Sequence, residues 1–454
     1  MGELSDQRQG KDLSMPDIDK QLVAYLSREI NSKKDFLDFK KENTNYATHG
    51  YHDYPATMIP QLPKLFIEAV EKFQKIENVY DPFSGSGTTL VEARLHGLNS
   101  VGVDLNPLAV LMGDVKTKVL DDCEVESVKC KLYNDILSEI KLFKIGKSEL
   151  IYPTFKNIDY WFKDYVIIDL QIIKNQITKI QSKDIRNFFL LAFSATTRYV
   201  SNTRNNEFKM YRMAPNKLAK WHPDVIKKFF EFAERNIAYN KKCPKMTGNV
   251  KVIFGSSSSV PEIADNSFDL LITSPPYGDS KTTVAYGQFS RTSLQWLDLD
   301  IMRAESVPKL DSKLLGGRIT FKELRRTGST RLDQQLTEIA KVDMKRALEV
   351  SQFYQDLYET LKEIKRVMKP GSFQFWVTAN RTVKGIRLTT DEIITELFAT
   401  LDVQKIAEYN RHIPNKRMPS KNSPSNIKGN VVTTMNKENI VVYKTGVGSA
   451  EVRD

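Results

Sequence analysis

The sequence predicts an α/β fold, a Rossmann-like parallel sheet interrupted by a long helical stretch. Three observations predict it. A glycine-containing turn, Asp81-Pro82-Phe83-Ser84-Gly85-Ser86-Gly87-Thr88-Thr89, joins a short apolar strand to a helix. A second short strand, Val101-Gly102-Val103, ends in an acid, Asp104, which completes the start of a βαβ unit. A third run, Phe268-Asp269-Leu270-Leu271-Ile272, is apolar and bounded by turn formers, so it reads as a buried strand, and it delivers Thr273-Ser274-Pro275-Pro276-Tyr277-Gly278.

Taken in order, residues 1–45 read as an N-terminal helical extension, with helical spacing of Leu22, Tyr25, Leu26 and Ile30. The loop His49-Gly50-Tyr51-His52-Asp53-Tyr54-Pro55-Ala56 follows, then a helix from about Gln61 to Phe73. Residues 46–107 form one half of the sheet domain, closing with the βαβ unit. From 108 to 249 the pattern is helical, clearest at Tyr165 to Ile180 and Ile185 to Val200; this is too long for one crossover and too periodic for disorder, so it reads as an insertion. Trp161-Phe162 and Phe188-Phe189 are read as its core.

Strands at Val250 to Phe254 and Phe268 to Ile272 place residues 250–278 back in the sheet. Residues 279–346 are polar and basic. A long helix from about Val350 to Met368 then stops at Lys369-Pro370-Gly371. Strands at Phe373 to Val377, near Val403 to Tyr409 and at Ile440 to Tyr443, with a helix from about Thr390 to Leu401, assign 347–445 to the rest of the sheet; 446–454 read as a tail.

Composition narrows the function. The chain has 454 residues, a net charge of +11 and three cysteines. The cysteines are too few and scattered for a disulfide framework or a zinc site, and His49 and His52 lack a third ligand, so no metal is expected. No apolar run reaches the ~18 residues of a membrane span, and the start lacks the apolar core of a signal peptide, so a cytoplasmic location is expected. The positive charge points to a polyanion. Arg303 to Arg346 holds 11 basic and 6 acidic residues, Arg204 to Lys228 seven and two, and Arg411 to Lys428 five and none, which concentrates the surplus in three stretches. Of these, 279–346 is favoured as the segment that reads the polyanion, with the helical insertion second; Arg411 to Asn426 would either line the same cleft or form a mobile surface loop.

The glycine turn defines a ligand by what it lacks. A phosphate-binding P-loop needs Lys after the second glycine, where Thr88 stands, and a dinucleotide fingerprint needs a third glycine, where Leu90 stands. Asp81 would repel a pyrophosphate. An acid that meets an ammonium, a helix start that meets a carboxylate, and Asp104 placed to accept both hydroxyls of a ribose together suit S-adenosylmethionine. At Ser274 to Tyr277, two prolines stiffen the exit from the strand and hold a hydroxyl, a carbonyl and an aromatic ring in fixed relation, a mount for a planar group bearing an amine.

These two motifs together resemble the amino-directed DNA methyltransferases of bacterial restriction-modification systems, in particular the cytosine-N4-specific group. That family's cofactor loop reads Asp-Pro-Phe-x-Gly-Ser-Gly-Thr-Thr and its catalytic loop Ser-Pro-Pro-Tyr, matched by Asp81 to Thr89 and Ser274 to Tyr277. The resemblance implies a class I S-adenosylmethionine-dependent methyltransferase, with a mostly parallel seven-stranded sheet, a helical insertion and a small DNA-recognition region. It assigns cofactor binding to Tyr54, Pro55, Ala56, Asp81, Phe83, Gly85, Gly87, Thr88, Thr89, Asp104 and Asn106, and catalysis to Ser274, Pro275, Pro276 and Tyr277. The implied substrate is double-stranded DNA with a short specific sequence, methylated on a flipped cytosine by a monomer, with a cognate endonuclease acting separately.

The chemistry agrees with the resemblance. An exocyclic amine is a poor nucleophile because its lone pair is delocalised into the ring. Acceptors at Ser274 and the Pro275 carbonyl would favour a pyramidal nitrogen aimed at the methyl donor, while Tyr277 stacks on the flipped base. Carbon-5 methylation needs a cysteine nucleophile, usually after proline, and the chain has only the reversed pair Cys243-Pro244. Zinc deamination is excluded by the missing His-x-Glu and Pro-Cys-x-x-Cys elements. Adenine-N6 methylation is the alternative within this chemistry, methylation of RNA or of a protein amide another, and an inactive nucleic-acid-binding module the alternative outside it.

Overall fold

The computed structural model describes residues 17–204, 207–279, 283–301, 304–413, 421–422, 432–433 and 437–446. Most of the basic stretch Arg411 to Asn426 and nearly all of the expected tail lie outside these residues. At the centre is a sheet of seven strands: β1 (Asn78–Asp81), β2 (Asn99–Asp104), β3 (Val250–Phe254), β4 (Phe268–Thr273), β5 (Met368–Thr378), β6 (Val403–His412) and β7 (Lys437–Thr445). Their spatial order is β3-β2-β1-β4-β5-β7-β6. Neighbours from β3 to β5 are parallel, and β7 alone runs antiparallel, between β5 and β6. This is the mostly parallel seven-stranded sheet that the resemblance implies.

Around the sheet lie α1 (Asp17–Asn31), α2 (Gln61–Glu71), α3 (Thr88–Leu95), α4 (Pro107–Lys116), α5 (Asp122–Lys144), α6 (Asp164–Thr178), α7 (Lys183–Val200), α8 (Val225–Lys242), α9 (Tyr286–Leu297), α10 (Thr330–Val342), α11 (Met344–Val367) and α12 (Thr390–Ala399). All six residues of β4 are buried, because helices cover both faces of a parallel sheet and remove the need for alternation. Successive side chains still divide by face. Leu270, Ile272, Phe373 and Phe375 meet Leu22 and Leu26 of α1 and Phe66 and Ile67 of α2. Leu271 and Trp376 meet the opposite layer, α10, α11 and α12.

α11 starts earlier than its apolar pattern implies, because the Asp343 side chain caps it by accepting from Arg346 N at 3.0 Å. It ends before Met368, but Lys369, Pro370 and Gly371 already belong to β5 rather than to a connecting turn.

A third core belongs to the helical insertion, and it holds the buried Phe162, Phe188 and Phe189. It also takes in a segment from beyond β4. Phe289, Leu294 and Trp296 of α9, with Val307 and Leu310, pack inside it, and the Trp296 ring meets Phe155, Phe162 and Phe193 edge-on at 6.2, 5.7 and 6.4 Å. Leu332, Leu336 and Ile339 of α10 pack instead on the sheet. Packing therefore divides the stretch 279–346 between two cores.

Candidate active site

Because β1 to β4 are parallel and adjacent, Asp81, Asp104, Phe254 and Thr273 all end at one sheet edge, and the loops that follow converge there. They border a cleft, the usual setting of a small-molecule site. Tyr54, Pro55, Ala56, Asp81, Phe83, Gly85, Thr88, Asp104, Asn106, Ser274 and Pro276 line it. Gly87, Thr89, Pro275 and Tyr277 do not.

The glycine turn is held by Asp104. Gly85 N donates to its Oδ2 at 2.9 Å and Asn106 N to its Oδ1 at 2.7 Å, so each oxygen keeps lone-pair capacity for a further donor. Burial pushes the Asp104 carboxyl up to about 6 against those hydrogen bonds. Gly87 has φ +80° and caps α3 with no side-chain acceptor, and a Cβ there would stand 3.0 Å from Gly113 Cα. The free N–H groups of the first turn of α3 make an anion site.

Asp81 Oδ1 accepts from Thr273 Oγ1 at 2.7 Å and Phe83 N at 3.0 Å, joining β1 to the end of β4. Its carboxyl too is pushed up to about 6 by burial. Thr89 Oγ1 donates to Ile272 O at 3.2 Å, a second tie between the two loops. Two buried acids, a glycine cradle and an uncapped helix start fit a ligand carrying an ammonium, a vicinal diol and a carboxylate.

Asn106 acts through others. Its Nδ2 donates to Tyr54 Oη and Ser290 Oγ, both at 2.8 Å, and its Oδ1 caps α4 by accepting from Leu108 N at 3.1 Å. Tyr54 is thereby fixed, stacked on Tyr286 with centroids 5.7 Å apart and edge-on to Phe289 at 5.9 Å. The chain turns sharply after Pro55, with Ala56 at φ +52°. The two histidines of this loop are engaged structurally: His49 bonds Glu92 and His52 bonds Ser194, at 2.7 and 2.8 Å, and burial lowers both, His52 to about 4.

In the second loop, Ser274 Oγ lies 3.2 Å from Tyr277 Oη, and Tyr277 Oη donates to Glu438 Oε1 at 2.9 Å. Burial, then the Glu438 charge, raises the Tyr277 phenol well above its ordinary value, so it stays protonated. The Tyr277 hydroxyl is thus held between Ser274 and Glu438. Asp279 ends the loop in bonds to Arg346 at 2.8 Å and Arg381 at 3.3 Å, and Gly278 packs so closely on Arg381 that no Cβ would fit.

Sequence reasoning missed Thr273, Tyr286, Ser290 and Glu438, and left the serines after Gly255 unassigned although Ser256 and Ser257 line the cleft. Those serines and Thr273 carried a signal, their place at or just after the end of a strand of the same sheet.

Among known proteins, residues 15–112 match a family described as DNA methylase. The type II methyltransferase M.MvaI of Kocuria varians is 46% identical over 449 residues, covering 96% of this chain and 99% of that protein. The type II methyltransferase M.MjaII of Methanocaldococcus jannaschii is 29% identical over 249 residues, 53% of this chain and 44% of that one. With a full-length relative this similar, a cleft suited to S-adenosylmethionine and the expected sheet, the chain belongs to the S-adenosylmethionine-dependent, amino-directed DNA methyltransferases of type II restriction-modification systems.

Proposed function

We propose that the protein methylates the exocyclic N4 amine of a cytosine flipped out of double-stranded DNA, protecting a short specific sequence against a separate endonuclease. The observation that carries the reading is Ser274, a hydroxyl on a rigid proline exit at the end of β4, lining the same cleft as the cofactor loop. A serine there can accept from an amine without being ionised.

Bound in the cleft, S-adenosylmethionine supplies an electrophilic sulfonium methyl. In this reading Asp81 meets its ammonium, the first turn of α3 its carboxylate and Asp104 its ribose, while Tyr54, Pro55 and Ala56 close over the methionine end. Gly85 and Gly87 allow the backbone to approach, and Phe83 offers an apolar wall. Thr88 and Thr89 hold the helix start in place. Ser274 Oγ and the Pro275 carbonyl hold the target amine, Pro276 keeps the loop stiff and Tyr277 borders the base. Positioning and electrostatics supply the rate, with no covalent enzyme intermediate.

Two basic segments are assigned to DNA. Leu314 and Leu315, from the stretch after α9, line the cleft directly. In the insertion, Thr203 and Arg212 form a bridge that closes a ribbon. That ribbon rests on α9 through Met210 N to Gln288 Oε1 at 3.4 Å and Phe208 against Phe289 at 6.3 Å, and it carries Arg204, Lys209 and the exposed Tyr211. Among the described residues no helix is long and apolar enough to cross a membrane. We assign the activity to a monomer.

The test is to incubate the protein with labelled S-adenosylmethionine and unmethylated DNA of mixed sequence, then to identify the modified nucleoside by mass spectrometry. N4-methylcytosine is expected. N6-methyladenine would overturn the base assignment, and absence of transfer to DNA would overturn the activity.

A further inference from the structure

We propose that Glu438, held by Arg411, is a positioning residue that sets the direction of the hydroxyl chain ending at Ser274. This rests on the reading of Ser274 as acceptor for an exocyclic amine. β7 is the reversed strand of the sheet, so its first residues arrive at the edge where the parallel strands end. There Glu438 stands directly opposite Arg411 of β6. Their side chains pair at 2.8 Å with 4% of the arginine and 14% of the glutamate exposed, and Arg411 Nε also donates to Leu37 O at 3.1 Å. Arg411 therefore occupies one glutamate oxygen and leaves the other, Oε1, for Tyr277.

Donor and acceptor chemistry then dictates the rest. A carboxylate only accepts, so the Tyr277 proton points at Glu438. The Tyr277 oxygen has no second proton to give, so at 3.2 Å it accepts from Ser274. With its proton directed inward, Ser274 turns lone pairs toward the cleft, where an amine that must shed resonance needs an acceptor. Reversed, the chain would present an O–H to an N–H.

Glu438→Gln reverses it without changing shape. Arg411 is donor-only and holds the amide oxygen, which leaves the amide NH₂ facing Tyr277. Tyr277 then accepts from residue 438 and donates to Ser274, whose own proton swings to the cleft.

The test uses the full chain, labelled S-adenosylmethionine and unmethylated genomic DNA in single-turnover mode. Glu438→Gln is expected to lower the transfer rate roughly 10²-fold, the size of losing one preorganised transition-state contact. Cofactor dissociation constant, by calorimetry, should stay within about twofold, while the melting temperature falls because the buried Arg411 guanidinium loses its counter-charge but keeps a hydrogen-bond acceptor. In a Tyr277→Phe background, which cuts the chain, the same substitution should cost less than about twofold. A native rate for Glu438→Gln, an equal loss in both backgrounds, or a loss matched by lost cofactor affinity would overturn the proposal. If Glu438→Gln fails to fold, Tyr277→Phe alone reads the chain: a lower rate at unchanged cofactor affinity is expected, and a native rate overturns it. Wild-type protein that methylates no exocyclic amine would instead overturn the reading of Ser274.

Discussion

Cofactor affinity should depend on protons below neutrality. Among the described residues no cation is paired with Asp81, and burial carries its carboxyl from the ordinary 3.8 up to about 6. An ammonium docks on the carboxylate and not on the acid. One pH unit below 6, about ten in eleven free molecules carry the proton, so the apparent dissociation constant for S-adenosylmethionine should be roughly tenfold higher at pH 5 than at pH 7. Asp104, also raised to about 6, adds a smaller effect, since a neutral acid loses only part of its acceptor capacity toward a ribose. Folding of the free protein responds in the opposite direction to binding. The folded state binds these protons more tightly than the unfolded state, so each acid destabilises the free protein increasingly as pH rises from 3.8 through 6. The cost above that window is about 3 kcal/mol per acid to order of magnitude, from a shift near two units. In the proposed binding mode the cofactor's ammonium offsets the Asp81 share of it. Calorimetry from pH 5 to 7 in two buffers of different ionisation heat should find about one proton released per cofactor bound at the acid end, and Asp81→Asn should flatten the slope. A dissociation constant unchanged between pH 5 and 7, with no proton release, would exclude Asp81 as the partner of the ammonium.

Two further substitutions separate binding from transfer. Ser274→Ala should lower single-turnover rate roughly 10²- to 10³-fold with little change in calorimetric affinity, whereas Asp104→Ala should weaken cofactor binding and lower the melting temperature, because the Gly85 and Asn106 N–H groups lose their acceptor at about 1–3 kcal/mol each. Asp269 is a control at the opposite edge of the sheet. Its Oδ2 accepts from Glu77 N at 3.0 Å and Asn78 N at 2.9 Å, so Asp269→Ala should cost about 1–3 kcal/mol for each N–H in denaturant unfolding while leaving cofactor affinity intact.

What the sequence determined by itself was local. The runs at 79–81, 101–104, 250–254 and 268–272 were legible as strands because short apolar stretches ending in turn formers record local backbone preference. The glycine turn and Asp104 were legible as a ligand cradle because the chemistry lies within about one βαβ unit. The base is less legible, since it rests on one hydroxyl at position 274. Tertiary structure decided what meets across long separations. Tyr277 and Glu438 are 161 residues apart, and only a reversed β7 brings them to one edge. Periodicity marks Phe289, Leu294 and Trp296 as buried on α9, but it does not say which core receives them. They enter the insertion's core, while α10 from the same basic stretch joins the sheet. An apolar face specifies that it must be covered, and the partner that covers it is chosen by the assembled topology.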